Sequence, residues 1–213
     1  MDKVSNIAPE DARQKILAAA SGMFFSHGVA GVRMDILARH LGMSKKTLYA
    51  HFNSKDDMLH AVVEWRMMAV RKGIQEILSS SHDYMDRFYE FCAFITATLS
   101  GFSPRLWDDL RLRRPDLMKK MEEHRRVNIL TFFGAFMDEG MRLGVLRARL
   151  DHELVTMAFL GAVQGVINPE TLARRKMAPD DAFREIISIM FEGILSDSAK
   201  PHFRMRMKHR RKR

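Results

Sequence analysis

Between Met34 and Tyr49 the chain sets two short helical patterns around a single glycine, a spacing that few arrangements satisfy. Two short helices that cross steeply need a small residue where their axes approach, a turn residue tolerant of positive φ, and apolar inner faces. Ala38 meets the first need, Gly42 the second, and Leu37, Leu41, Met43 and Leu48 the third. Ser44 stands where the second helix needs an N-cap, which leaves Lys45, Lys46, Thr47 and Tyr49 projecting near its beginning. That end presents free backbone N–H groups and the positive end of the helix dipole, so it seeks anions. In a DNA-binding helix-turn-helix it is the end that enters the major groove.

The rest of the chain reads as helix. Prolines at 9, 104, 115, 169, 179 and 201 punctuate segments with helical rather than alternating periodicity, and no strand or internal repeat is evident. The first helix is expected to open at Pro9-Glu10-Asp11, to bury Ile16, Leu17, Ala20, Phe24 and Phe25, and to end soon after Gly28. Ser54 and Asp57 form an acidic variant of the capping box, opening a fourth helix that reaches about residue 79. A polar stretch, residues 79–83, precedes larger helices. The expected fold is therefore all-α: an N-terminal three-helix helix-turn-helix domain, joined by a long fourth helix to a C-terminal helical bundle. The domains are expected at 9–55, extended by helix to about 79, and at 83–198, followed by a disordered basic tail at 199–213.

Charge narrows the function classes less than its total suggests. The formal net charge is +9, yet residues 1–199 hold 27 basic against 26 acidic side chains. The excess sits in the last fourteen residues, from Lys200 to Arg213, which hold eight basic and no acidic side chains. Such a tail is either a solvated end or a source of non-specific DNA affinity that does not read sequence. The single cysteine, Cys92, excludes an internal disulfide and fits a reducing cytoplasm. Leu154–Ile167 is uncharged but only fourteen residues long, short of the ~20 that span a membrane. The nine histidines form neither His-Glu-x-x-His nor a close pair with cysteine, and no Gly-rich phosphate loop appears. No metal, cofactor or enzymatic activity is expected, and no membrane contact.

Residues 12–59 resemble the DNA-binding domain of the TetR family of bacterial transcription regulators. The run Gly42-Met43-Ser44-Lys45-Lys46-Thr47-Leu48-Tyr49-Ala50-His51-Phe52-Asn53-Ser54-Lys55-Asp56-Asp57-Met58-Leu59 carries most of that likeness. The resemblance implies that Thr47, Tyr49 and His51 touch DNA backbone or base edges and that Lys55 grips a phosphate. Lys45 and Lys46 would read bases or add phosphate contacts, although the family favours a small residue at position 46. Val32-Arg33 also departs from the family, which often places hydroxyl residues there; Arg33 would reach phosphate instead. The DNA-facing set is thus Arg33, Ser44, Lys45, Lys46, Thr47, Tyr49, His51 and Lys55.

The C-terminal half resembles the family only loosely, through its helix count and Phe191-Glu192-Gly193-Ile194-Leu195. Its crowded aromatic residues suit a core, and a cavity walled by them would take an apolar or aromatic effector. Phe88, Phe91, Ile95, Trp107, Phe132 and Phe136 are the expected apolar contacts, with Asn128 and Gln164 as orienting hydrogen-bonders. Gly161 and Gly165, with Ala158 beside them, permit close approach of another helix, either within the subunit or from a second copy. The family's last two long helices form a four-helix dimer interface, which favours the second. The interface is then expected to comprise Ala158, Gly161, Gly165, Phe183, Ile187, Met190, Phe191 and Ile194. The partners implied are double-stranded operator DNA, a second copy of the chain and a small-molecule effector. The resemblance also implies repression relieved by that effector. Two other classes stay open: an architectural DNA-binding protein without ligand control, and a helical protein-interaction module.

Overall fold

A computed structural model describes residues 9–201 and 203. Eleven α-helices follow one another: α1 (Pro9–Gly31), α2 (Met34–His40), α3 (Lys45–His51), α4 (Lys55–Leu78), α5 (Tyr84–Ser100), α6 (Pro104–Arg113), α7 (Pro115–Asn128), α8 (Gly134–Arg142), α9 (His152–Val166), α10 (Pro169–Arg175) and α11 (Pro179–Ile194). A π-helical turn, Ile129–Phe133, joins α7 to α8. The described residues form no strand; an isolated antiparallel bridge pairs Leu146 with Leu195.

The chain divides into two compact units. The first comprises the residues up to Val70 together with Gly101–Met121, and the second comprises Arg71–Ser100 and the residues from Glu122 onward. α4 and α7 both continue from one unit into the other. This division departs from the expected boundary near residue 80, because α6 lies in the first unit and packs along α1.

In the first unit α1 buries Ile16, Leu17, Ala20, Phe24 and Phe25 on one face, against Leu37, Leu48, Met58, Leu59 and Val62 from the next three helices. Gly28 breaks the helical backbone of α1, with φ 75° and ψ 174°, and the helix ends three residues later at Gly31, as expected. A Cβ at that position would sit 2.8 Å from Asp109 Oδ2 and 3.1 Å from Arg105 Cβ, so the glycine also admits α6. Asp109 accepts a hydrogen bond from the Ala30 N–H at 3.1 Å, and the Phe25 carbonyl accepts one from Ser103 N–H at 3.0 Å. Phe102 meets Phe25 edge-on at 4.6 Å and Trp107 at 5.2 Å.

The second unit is built on stacked rings. Phe88 lies 4.0 Å from Phe191, Phe133 lies 4.1 Å from Phe159, and Tyr84 stacks on Phe136 at 4.2 Å between ring centres. Aromatic pairs of this kind add to the area they bury. Arg87, largely buried, donates to the Leu78 carbonyl (2.8 Å), the His82 carbonyl (3.1 Å) and Glu139 (2.5 Å), tying the end of α4 and the 79–83 loop to α8. Phe203 falls inside the stretch expected to be a disordered tail, yet it is buried near Phe88 and Phe191. Residues 204–213, which hold most of the basic run, lie outside the described residues.

Gly140 on α8 faces the Tyr84 hydroxyl and Leu146 so closely that an added Cβ would overlap both. Gly140→Ala is therefore expected to destabilise the protein by ~1–3 kcal/mol through overpacking. Gly22, which has nothing within 4 Å of its would-be Cβ and is exposed on α1, should tolerate alanine without loss. Urea denaturation of the two variants measures the contrast.

Candidate nucleic-acid interface

α2 ends in a turn that satisfies its last carbonyls from its own backbone. Gly42 adopts φ +66°, its N–H reaching Arg39 carbonyl (3.1 Å) and the Met43 N–H reaching Ala38 carbonyl (3.0 Å). This is a Schellman turn, and it is the reason for a glycine at position 42. Two residues on, Ser44 begins α3 with extended backbone, and its Oγ accepts from the Thr47 N–H at 3.0 Å. Thr47 Oγ1 completes the cap at 2.8 Å from Ser44 Oγ. Leu48 is fully buried against α1 and α2, as is Phe52 just beyond α3.

With Leu48 pinned inside, the other side of α3 faces out. Lys45, Lys46, Thr47 and Tyr49 are all exposed, while His51 is half-buried. Lys45 Nζ stands 5.8 Å from the centre of the Tyr49 ring, a cation–π contact one helical turn apart. Phe52 has Arg13 lying 4.6 Å over its face. Of the two aromatic residues in this segment, Tyr49 faces solvent and Phe52 belongs to the core.

Arg33 is the N-cap residue of α2 but makes no side-chain cap. Its guanidinium instead grips Asp35 at 2.9 and 3.2 Å, and that contact holds the Asp35 carboxyl below its ordinary pKa. Arg33 is exposed, but part of its charge is already engaged. Lys55 opens α4, half-buried; burial draws its pKa down, against the attraction of Asp109. The capping box behind it is shifted by one residue: Ser54 Oγ accepts from Asp57 N–H, while Asp57 accepts from Asn53 N–H rather than that of Ser54, both at 2.9 Å. Arg114, contacting Asp56, His60 and Asp116, fastens the start of α4 to the turn before α7 and holds Asp116 down at about 2.

The residues expected to contact an effector do not come together as one set. Trp107 lies in the core of the first unit, whereas the other seven belong to the second. Phe88 and Phe136 are buried among rings, Phe91 and Ile95 pack at the edge of that core, and Gln164 is exposed. Asn128 and Phe132 both contact Arg71, a residue that hydrophobic patterning did not single out.

The residues expected at a dimer interface divide by face. Ala158, Gly161 and Gly165 are exposed along one side of α9. Phe183, Ile187, Phe191 and Ile194 turn inward to the subunit's own core, with Met190 at its edge. The apolar residues that face out are Leu154 (63% exposed) and Met157 (57%) on α9 and Ile189 (72%) on α11. Leu154 and Met157 lie four residues before Ala158 and Gly161, and that spacing was the available signal on α9. Among the described residues no three His, Cys, Asp or Glu side chains gather to hold a metal ion, and no helix is long and apolar enough to cross a membrane.

Residues 16–62 match the model of a family described as bacterial regulatory proteins, tetR family. The chain is similar to the HTH-type transcriptional regulator YvaF of Bacillus subtilis, 23% identical over 77% of this chain and 86% of that one. It is also similar to the nucleoid occlusion factor SlmA of Vibrio vulnificus, 25% identical over 84% of this chain and 93% of that one. Its fold is that of a transcriptional regulator from Cytophaga hutchinsonii, with a TM-score of 0.65, 16% identity, and coverage of 86% and 98% of the two chains.

Cap and contact separate experimentally on α3. Ser44→Ala removes the N-cap and is expected to cost ~1 kcal/mol of stability. Lys46→Ala, on the exposed side, should leave the melting temperature unchanged and weaken binding to DNA. Thermal melts beside fluorescence anisotropy on duplex DNA distinguish the two effects.

Proposed function

We propose that this chain, whose residues 16–62 match the tetR family of bacterial regulatory proteins, is a DNA-binding transcriptional regulator that works as a homodimer, repressing from a palindromic operator until a small effector releases it. The observation that carries this reading is the start of α3, capped from within by Ser44 while Lys45, Lys46 and Tyr49 stand free in solvent. A groove-reading helix needs its fold secured by one face and its cations unspent on the other.

The proposed contacts divide by role. Lys45, Lys46, Thr47 and Tyr49 meet base edges and the nearby backbone, and His51 and Lys55 meet phosphate. Arg33 joins them where phosphate competes with Asp35 for its guanidinium. Occupying an operator excludes other proteins from it without further contacts, which makes repression the simplest outcome. The work is binding and release, with no catalytic step, no metal and no cofactor, in a cytoplasm where the DNA lies.

The proposed dimer uses the exposed stripe Leu154, Met157, Ala158, Gly161 and Gly165 on α9, together with Ile189 on α11. Large apolar side chains left in water on neighbouring helices mark an interaction surface, and a two-fold axis lets one such stripe cover itself. Two copies so joined present two recognition helices to half-sites ~34–36 Å apart, and an effector that changes their spacing weakens binding. The effector is placed in the aromatic second unit, near Phe88, Phe91, Ile95, Phe132 and Phe136, with Asn128 as the polar contact.

A second reading is favoured by the similarity, over nearly that protein's whole length, to a nucleoid occlusion factor: a DNA-bound role outside transcription control. A map of bound chromosomal DNA decides between them. A few palindromes upstream of genes support the operator reading; sites scattered without regard to promoters support the second.

Two further outcomes are expected. Lys55→Ala should weaken binding to all sequences alike and lower the salt slope by about one, whereas Tyr49→Ala should weaken the operator more than random DNA, both read in salt-dependent titrations. Leu154→Glu combined with Ile189→Glu should yield a folded monomer in sedimentation analysis, and a dimer that survives would move the interface elsewhere.

A further inference from the structure

We propose that the effector of the second unit carries an anionic head group, a carboxylate or phosphate monoester, held by Arg71 and Arg125 beside Asn128, with its apolar part alongside the Phe132 ring. The inference rests on the effector reading above and adds the ligand's charge to it.

Asn128 ends α7 and is only 6% exposed. Its Oδ1 accepts from Arg71 Nη1 at 3.3 Å, and its amide nitrogen lies 3.3 Å from His124 Nδ1. The Arg71 guanidinium also lies 5.2 Å over the face of Phe132. Arg125 stands three residues before Asn128, on the same side of α7. Its Nη1 donates to the carbonyl of Ile167, the C-cap residue of α9, at 3.1 Å, while its Nε is buried with no hydrogen-bond partner.

What distinguishes these arginines is their lack of a counter-ion. Among the described residues neither Arg71 nor Arg125 forms an ion pair, whereas Arg87 in the same unit holds Glu139 and Arg114 holds Asp56 and Asp116. Burial pulls the Arg125 pKa down, with Glu122 opposing it through its field alone. Burial, and then the charge of Arg71, also draw the His124 pKa down. A guanidinium partly withdrawn from water without a counter-ion is costly, and a carboxylate or phosphate is the group that matches its donors. A neutral acceptor could meet the Arg125 Nε–H but would leave both positive charges unbalanced, and a cation would be repelled by both arginines.

The backbone at this point is also irregular. The π-helical turn Ile129–Phe133 begins at the residue after Asn128 and carries Phe132. Such turns gather at functional sites because they re-aim side chains within a helix. Here the turn carries the ring that lies under the Arg71 guanidinium, so a cation and an aromatic face stand side by side, a pairing that suits an amphipathic molecule.

The test titrates the full chain with dodecanoate, dodecyl phosphate and dodecanol by isothermal calorimetry, the three probes sharing one tail. At least one anion is expected to bind about tenfold or more tightly than the alcohol, and the preferred anion separates a carboxylate from a phosphate ligand. Arg71→Met and Arg125→Met should each bring the anion's affinity toward that of dodecanol, leaving dodecanol itself unchanged. Equal binding of all three probes by the unmodified protein would overturn the anionic head group and leave the effector reading standing. Binding of none would remove both. An undiminished preference for the anion in Arg71→Met, a variant that breaks no helix end, would also overturn the assignment, even if Arg125→Met fails to fold.

Discussion

The first unit depends on one left-handed residue. Gly42 reverses the chain between α2 and α3 while its own N–H and that of Met43 satisfy the carbonyls of Arg39 and Ala38. A side chain at this φ is strained, and without the turn Ser44 would not arrive where it can cap α3. From that point the register of α3 is set by Leu48 alone, since it is the fully buried residue of the helix. The direction of Lys45, Lys46 and Tyr49 follows from the position of Leu48, a buried contact deciding what is displayed to solvent.

How much of this is legible in the sequence varies with the range of the interaction. α2, α3 and the start of α4 stand within a residue or two of their expected places because their signals are local: a glycine, two serine caps and short apolar faces. Gly28 shows where locality fails. Its positive φ breaks α1 as a local signal predicts, but the lack of room there for a Cβ comes from Arg105 and Asp109 of α6, some eighty residues away. The placement of α6 and Trp107 in the first unit was hidden for the same reason, since a helix states in its sequence that it has an apolar face and not what covers it.

The C-terminal half makes the complementary point. Hydrophobicity marked Phe183, Ile187, Phe191 and Ile194 for an interface, yet the most apolar residues of an amphipathic helix are the ones its own core claims first. The outward residues, Leu154, Met157 and Ile189, are conspicuous only against their exposed neighbours. Arg71 and Arg125 escaped notice because a charged residue on a helix is by default solvated. What makes them unusual among the described residues is the absence of an ion pair for either and, for Arg125, a buried Nε without a hydrogen-bond partner.

Phe203 carries a consequence of a different kind, one of timing. The first unit has all its residues once the chain has been made as far as Met121, whereas the second needs a ring that emerges some eighty residues later to fill the space beside Phe88 and Phe191. During synthesis the DNA-reading half can therefore take shape while its companion is still an open aromatic cluster. For that interval the exposed rings of α5 and α8 are the part of the nascent chain that most needs shielding, and the arrival of one phenylalanine ends it.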